Sequence, residues 1–160
     1  MVSSRVARNH AVRYAGGLVV YSNTQASLTN CSVEENHAER AAGIFVSGAY
    51  LTVTGTRVCS NNATLYGGGL YNDGSSGTGR QPSRVDITDS IVCGNSALLG
   101  GGLFNHRGAW TELARSHVID NVARSGGGSS DGGGLCMLTH LEVLSVAENA
   151  LTGGLPRAPT

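Results

Sequence analysis

The chain has 160 residues, 40% of them hydrophobic, with 24 glycines, 3 prolines, 5% aromatics and a formal charge of zero. Neutrality gives no electrostatic reason to expect nucleic acid or an anionic membrane as a partner. All 11 basic residues are arginine, which removes Schiff-base lysines, a lysine general base and the Gly-Lys-Ser/Thr phosphate loop.

Glycine at about twice its average share suits many tight turns and thin layers. In chain order, Ser4 and Val6 lead to Asn9, Ala11 follows, and AGGL runs to Leu18. Leu28, Cys31 and Val33 then precede Asn36, followed by Ala38 and AAGI ending at Ile44. Val53, Thr56 and Val58 precede Asn61, with Ala63 and GGGL to Leu70. NDGSSGTGRQPS comes next and reads as a surface insertion of Gly, Ser and Pro. Ile87, Ser90 and Val92 lead to Asn95, Ala97 and GGGL at Leu103. Leu113, Ser116 and Val118 lead to Asn121, Ala123 and a GGGL at Leu135. Leu141, Leu144 and Val146 precede Asn149, and TGGL closes at Leu155.

Six copies of Val-x-x-Asn at a period of about 26 residues describe a solenoid. Within each unit apolar residues alternate, as in YLTVTGTRV and SRVDITDSIV, which is the period of a strand. The expected architecture is therefore all-β, a parallel β-helix of five to six rungs. Residues 1–149 form the repeat domain, and 150–160 are a tail or the start of a further rung. Asn9, Asn36, Asn61, Asn95, Asn121 and Asn149 are expected to stack as an inward ladder, bonding backbone groups of the rungs above and below. Gly16, Gly17, Gly43, Gly68, Gly69, Gly101, Gly102, Gly133 and Gly134 are expected at the next corner, supplying positive φ and close backbone approach. No polar cap precedes the first rung, so further rungs of a longer chain are expected as neighbours.

The GG[LI] and Val-x-x-Asn signatures over residues 4–149 resemble the repeats of right-handed β-helix proteins of the pectin-lyase-like superfamily. They are most similar to polymorphic outer-membrane-protein repeats, whose units carry GGA-aliphatic and Phe-x-x-Asn; here Val replaces Phe. The resemblance implies a right-handed coil at the cell surface or outside the cell, at the outer membrane if the source is bacterial. It implies a non-enzymatic structural or adhesive module with a glycan or surface protein as partner. Other branches of the superfamily are polysaccharide lyases and glycoside hydrolases, which is the alternative reading. LTHLEVLSVAENALTGGLP, residues 138–156, is similar to a plant-type leucine-rich repeat. It is either a last rung of that sequence type or the start of a different, protein-recognising solenoid.

No cofactor or metal is expected. The four cysteines lack metal spacing, but Cys59 and Cys93 share one repeat position on neighbouring rungs. A disulfide and two packed thiols are both open there, while Cys31 and Cys136 read as small apolar residues. GGGSSDGGGL, residues 126–135, is similar to a calcium-binding RTX nonapeptide but has Ser129 at its fourth position and no tandem copy; it reads as an insertion. His10 and His37 both follow a ladder Asn and are expected to stack on the surface. Asn30 and Asn62 begin sequons, relevant in a secreted eukaryotic chain. For the enzymatic alternative the candidate residues are Arg84, Asp86, Asp89 and Asp120, because glycoside cleavage needs paired carboxylates. Asp86 and Asp89 are expected to diverge at a bend. No run of apolar residues reaches the length of a membrane helix.

Overall fold

The computed structural model describes residues 1–74 and 82–124 and, further on, the strands Leu135–Met137, Val146–Ala147 and Ala150–Leu151. The described residues contain no helix, hence none long and apolar enough to cross a membrane. Their strands sort into four parallel sheets, one for each side of a coil. Side 1 holds Leu18–Tyr21, Ile44–Ser47, Leu70–Asp73, Leu103–His106 and Leu135–Met137. Side 2 holds Gln25–Thr29, Tyr50–Thr54, Arg84–Thr88, Trp110–Ala114 and Val146–Ala147. Side 3 holds Arg5–Ala7, Ser32–Glu34, Arg57–Cys59, Ile91–Cys93, His117–Ile119 and Ala150–Leu151. Side 4 holds His37–Arg40, Asn62–Tyr66, Ser96–Ala97 and Val122–Ala123.

One circuit through the four sides brings the chain back beside its starting strand, so the molecule is an all-β parallel solenoid of about four turns. Counting asparagines overstated this as five to six. Asn9 belongs to a partial turn, in which Arg5–Ala7 is followed only by isolated bridges from His10 to His37 and from Tyr14 to Arg40. At the other end the register differs from an alignment on Asn149. Val146 stands opposite Leu113, and Leu151 opposite Val118, a slide of five residues. Apolar residues recur every five positions at 141, 146 and 151, so two registers satisfy the pattern equally and spacing alone does not choose. Asn149 itself lies outside the described residues, as do Gly133, Gly134, Ser129, Leu141 and most of the leucine-rich-repeat-like stretch.

The alternation places one set of side chains inside. Leu28, Val53, Ile87 and Leu113 are in register on side 2, and Val33, Val58, Val92 and Val118 on side 3. Ile44, Leu70 and Leu103 do the same on side 1, and all of these are buried. Ala38, Ala63 and Ala97 are buried at 0–1% exposure where the section narrows on side 4. Each turn thus contributes a thin apolar layer, and the layers interdigitate along the axis. Truncating one such Leu to Ala costs about 2–5 kcal/mol in packed cores.

The corners correct one expectation. None of Gly16, Gly17, Gly43, Gly68, Gly69, Gly101 and Gly102 has a positive φ. The left-handed residue is the one just before each run, namely Ala15 (φ 49°), Ala41 (55°), Gly67 (60°) and Gly100 (61°). The paired glycines are required by crowding instead. A Cβ on Gly17 would overlap the carbonyl oxygen of Gly43, and one on Gly43 that of Gly69. Parallel hydrogen bonds run straight through this corner, for example Gly43 N–H to Gly68 O at 3.0 Å and Gly69 N–H to Gly101 O at 3.0 Å. Successive turns approach too closely for a side chain at the second position of the pair, while the first admits a methyl once, at Ala42.

Candidate functional site

The amide column runs up the interior beside side 3. Asn36 Oδ1 accepts from Asn9 N–H (3.1 Å) and Asn9 Nδ2 (2.9 Å). Asn61 Oδ1 accepts likewise from Asn36, at 3.0 and 2.9 Å. Asn95 Oδ1 accepts from Asn61 at 2.9 and 3.0 Å, and Asn121 Oδ1 from Asn95 at 2.9 Å twice. The second Nδ2 proton of Asn36, Asn61, Asn95 and Asn121 goes to the carbonyl of Val6, Val33, Val58 and Val92. The backbone bonds therefore all reach to the preceding turn, not to both neighbours, and the following turn is met through the side-chain amide. Asn36, Asn61, Asn95 and Asn121 are 0–4% exposed, and the four side-chain hydrogen bonds of each of the first three leave them no polar atom for a ligand.

A second column was visible in the sequence but carried no expected role. Cys31 N–H donates to Thr56 Oγ1, Thr56 N–H to Ser90 Oγ and Ser90 N–H to Ser116 Oγ, each at 3.1 Å. Each hydroxyl in turn donates to the carbonyl two residues before it, at 2.8–3.0 Å. Cys31 fills one step of this column with Sγ 3.3 Å from Thr29 O, so it is a weak donor as well as a packed apolar group. A third polar set lies inside the coil where side 1 turns into side 2. Asn72 Nδ2 donates to Trp110 O (2.8 Å), and Ser83 and Thr111 bind Asn72 and Asn105 at 2.6 and 2.7 Å. These three sets fix the corners.

On the outer surface of side 3, Cys59 and Cys93 stand in register and are joined by a disulfide, with Cα atoms 4.6 Å apart. His10 and His37 stack with ring centroids 4.9 Å apart. Among the described residues no group of three or more His, Cys, Asp or Glu gathers as a metal site. On side 1, Phe45, Tyr71 and Phe104 form a buried aromatic cluster with edge-to-face contacts, and His106 Nδ1 lies 3.0 Å from Asp73 Oδ1 and 3.3 Å from Tyr71 OH. Burial pushes the Tyr71 phenol well above its usual range, with nearby Asp73 adding to it, so this hydroxyl stays protonated.

The outer surface of side 2 differs from the columns inside. Gln25, Tyr50, Arg84 and Trp110 occupy one register position on four successive turns. Arg84 lies between two rings, 5.8 Å from the Tyr50 centroid and 5.7 Å from that of Trp110. Its Nε donates to Asp86 Oδ1 (2.8 Å) and its Nη2 to Glu112 Oε2 (3.0 Å), while Tyr50 OH donates to Asp86 Oδ2 (2.5 Å). The Asp86 hydrogen bond, above all, raises the guanidinium pKa further. Beside this column is a groove of about 430 Å³, walled by Tyr50, Arg84, Trp110 and Pro82 and closed at the corner by Ala49. Asn23, Thr24 and Gln25 supply uncharged polar groups at one end. Trp110 Nε1 is buried and has no hydrogen-bond partner.

The sequence placed Arg84 and Asp86 together with Asp89 diverging at a bend; the structure has Asp89 at that bend and adds Glu112 as a third member. Asp89 sits at the next corner (φ 51°), held by Arg115 at 2.8 and 2.9 Å. The Arg115 hydrogen bond lowers its carboxyl pKa, the reverse of what a general acid needs. Asp120 occupies the corner before Asn121 (φ 55°). Tyr50 and Trp110 carried no expectation, although their shared register with Arg84 follows from the repeat once the insertion is removed. Neither a known protein family, nor a curated protein, nor a solved structure matches the chain.

Proposed function

We propose that the chain is a non-enzymatic, surface-exposed structural or adhesive module, in which the coil is a scaffold and the outer surface of side 2 meets a glycan or protein partner. The observation that carries this reading is the Gln25–Tyr50–Arg84–Trp110 column with its groove. Aromatic rings and a clamped guanidinium, held on a rigid sheet, are the composition of a recognition surface. The Cys59–Cys93 bond supports an oxidising location, outside the cell or at its surface. The resemblance of the repeats to the pectin-lyase-like superfamily, and to polymorphic outer-membrane-protein repeats within it, supports the same location. Immobilised chain screened against defined glycan and peptide arrays should retain members of at least one class, with loss on Trp110→Ala. Blank arrays of both kinds would overturn the reading.

A polysaccharide lyase or hydrolase is the second reading, favoured by Asp86 and Glu112 lying opposite each other on adjacent strands. Both carboxylates accept hydrogen bonds from the same guanidinium, Arg84, which occupies them as its counter-ions. Cleavage of any polyuronate or neutral glycan in a panel assay, abolished by Asp86→Asn, would replace the adhesive reading with this one.

A further inference from the structure

We infer that the side 2 groove binds a neutral oligosaccharide; this rests on the binding-module reading and narrows its ligand. Charge decides first. Two carboxylates, Asp86 and Glu112, face one guanidinium, and both already bind it. The patch has no spare positive charge with which to hold a uronate, sulfate or phosphate, and an anion entering it would meet an excess of acid. A cationic peptide would find both carboxylates already engaged by Arg84. An uncharged ligand meets neither penalty.

Hydrogen bonding decides next. Arg84 Nη1 and the Gln25 amide make no hydrogen bond within the described structure, and Trp110 Nε1 is a buried donor without an acceptor. Arg84 Nη1 and the Gln25 amide are therefore the groups a ligand can pair with, while the indole N–H of Trp110 is closed off from solvent and the ring offers its carbon surface. Asn23, Thr24 and Gln25 carry acceptor oxygens at one end of the same groove. Sugar hydroxyls donate and accept at once, and can serve both kinds of group. Carbon surface decides last. Tyr50, Pro82, Ala49 and Trp110 supply apolar walls for the C–H faces of a pyranose. Tyr50 and Trp110 are two strand spacings apart, roughly 10 Å, which is the length of a disaccharide along the coil axis.

Trp110 is the single tryptophan of the chain, so its emission reports this groove without a label. The chain is titrated with cellohexaose and maltohexaose, with oligogalacturonate of matched length, and with oligolysine. The expected result is a saturable change in Trp110 emission with a neutral hexaose, insensitive to salt because no ion pair forms with the ligand. Gln25→Ala and Tyr50→Ala should each weaken it roughly tenfold, the equivalent of one lost contact. Both side chains are exposed, and an unchanged melting temperature verifies that the variants fold. Saturation by oligogalacturonate or oligolysine alone would overturn the neutral ligand and leave the binding module standing. Silence from Trp110 while the arrays still bind would overturn this groove as the site; silence in both would overturn the two readings together.

Discussion

The amide column inside the coil and the Gln25–Tyr50–Arg84–Trp110 column outside it share one geometry, a residue per turn at strand spacing, and differ in everything else. Inside, every step from Asn36 to Asn121 repeats the same donors, acceptors and distances within 0.3 Å. Each turn there meets the same surroundings, an N–H and a C=O of the preceding turn, so one side chain solves every step. Outside, the four residues are an amide, a phenol, a guanidinium and an indole; the placing of Arg84 between two rings has a counterpart in Arg40 between Tyr14 and Tyr66, but the identities differ from turn to turn. Repetition marks a structural solution; departure from it, at a place the repeat leaves free, marks local chemistry.

The strongest way to break this contrast is Asn95→Ala. It would strip the acceptor from Asn61 N–H and the donor from Val58 C=O, both buried. At about 1–3 kcal/mol for each of these two groups, the loss should be about 2–6 kcal/mol by chemical denaturation. Asn95→Asp sharpens the result. It keeps an acceptor for Asn61 but aims an oxygen at Val58 O and Asn121 Oδ1, where Nδ2 donated, so it should not rescue stability. A cost below about 0.5 kcal/mol for Asn95→Ala, the level of ordinary surface changes, would reduce the column to decoration.

Next in size is the disulfide. Cys59 and Cys93 close a loop of sequence separation 34 on the outer surface of side 3. Their removal as Cys59→Ser with Cys93→Ser should cost about 2–4 kcal/mol, mostly by freeing the unfolded chain. Because the strands are already held in register by their neighbours, the folded state should keep its strand signal in circular dichroism. Loss of that signal at low temperature would mean that the bond sets register rather than limiting the unfolded ensemble.

How much of this was legible in the sequence follows from the same contrast. Val-x-x-Asn, the alternating apolar residues and the glycine pairs repeat, so the solenoid and its interior could be read directly. The shared position of Cys59 and Cys93 was legible for the same reason. What repetition does not encode was harder. The hydroxyl column was visible as a position but not as a role, because Cys31, Thr56, Ser90 and Ser116 change identity from turn to turn. The left-handed φ at Ala15 and Ala41 falls on alanine, where a glycine-based argument does not look. Asn72, Asn105, Ser83 and Thr111 form a cluster through a turn interrupted by the insertion, and no spacing rule crosses it. The side 2 column was missed because its position holds a different residue type on every turn, Gln25, Tyr50, Arg84 and Trp110, so no repeated letter marks it.

The smallest effect is expected from Asp89→Asn, and it tests the outside of the coil as a place where charges matter little to folding. Asp89 and Arg115 pair on adjacent turns with side chains half exposed, so solvent and salt screen the interaction. The Arg115 hydrogen bond makes the folded-state pKa of Asp89 lower than in the unfolded chain. Its contribution is therefore present above the ordinary carboxylate range, near pH about 4, and disappears as pH falls through the lowered folded value. Replacing Asp89 by Asn should flatten that part of the acid limb in a series of denaturation midpoints, and high salt should erase the difference between the proteins at neutral pH. Parallel acid limbs would show that the pair is not linked to folding. A loss at neutral pH that rivals Asn95→Ala would instead show that outer contacts carry the coil, because a half-exposed pair has no buried group to orphan.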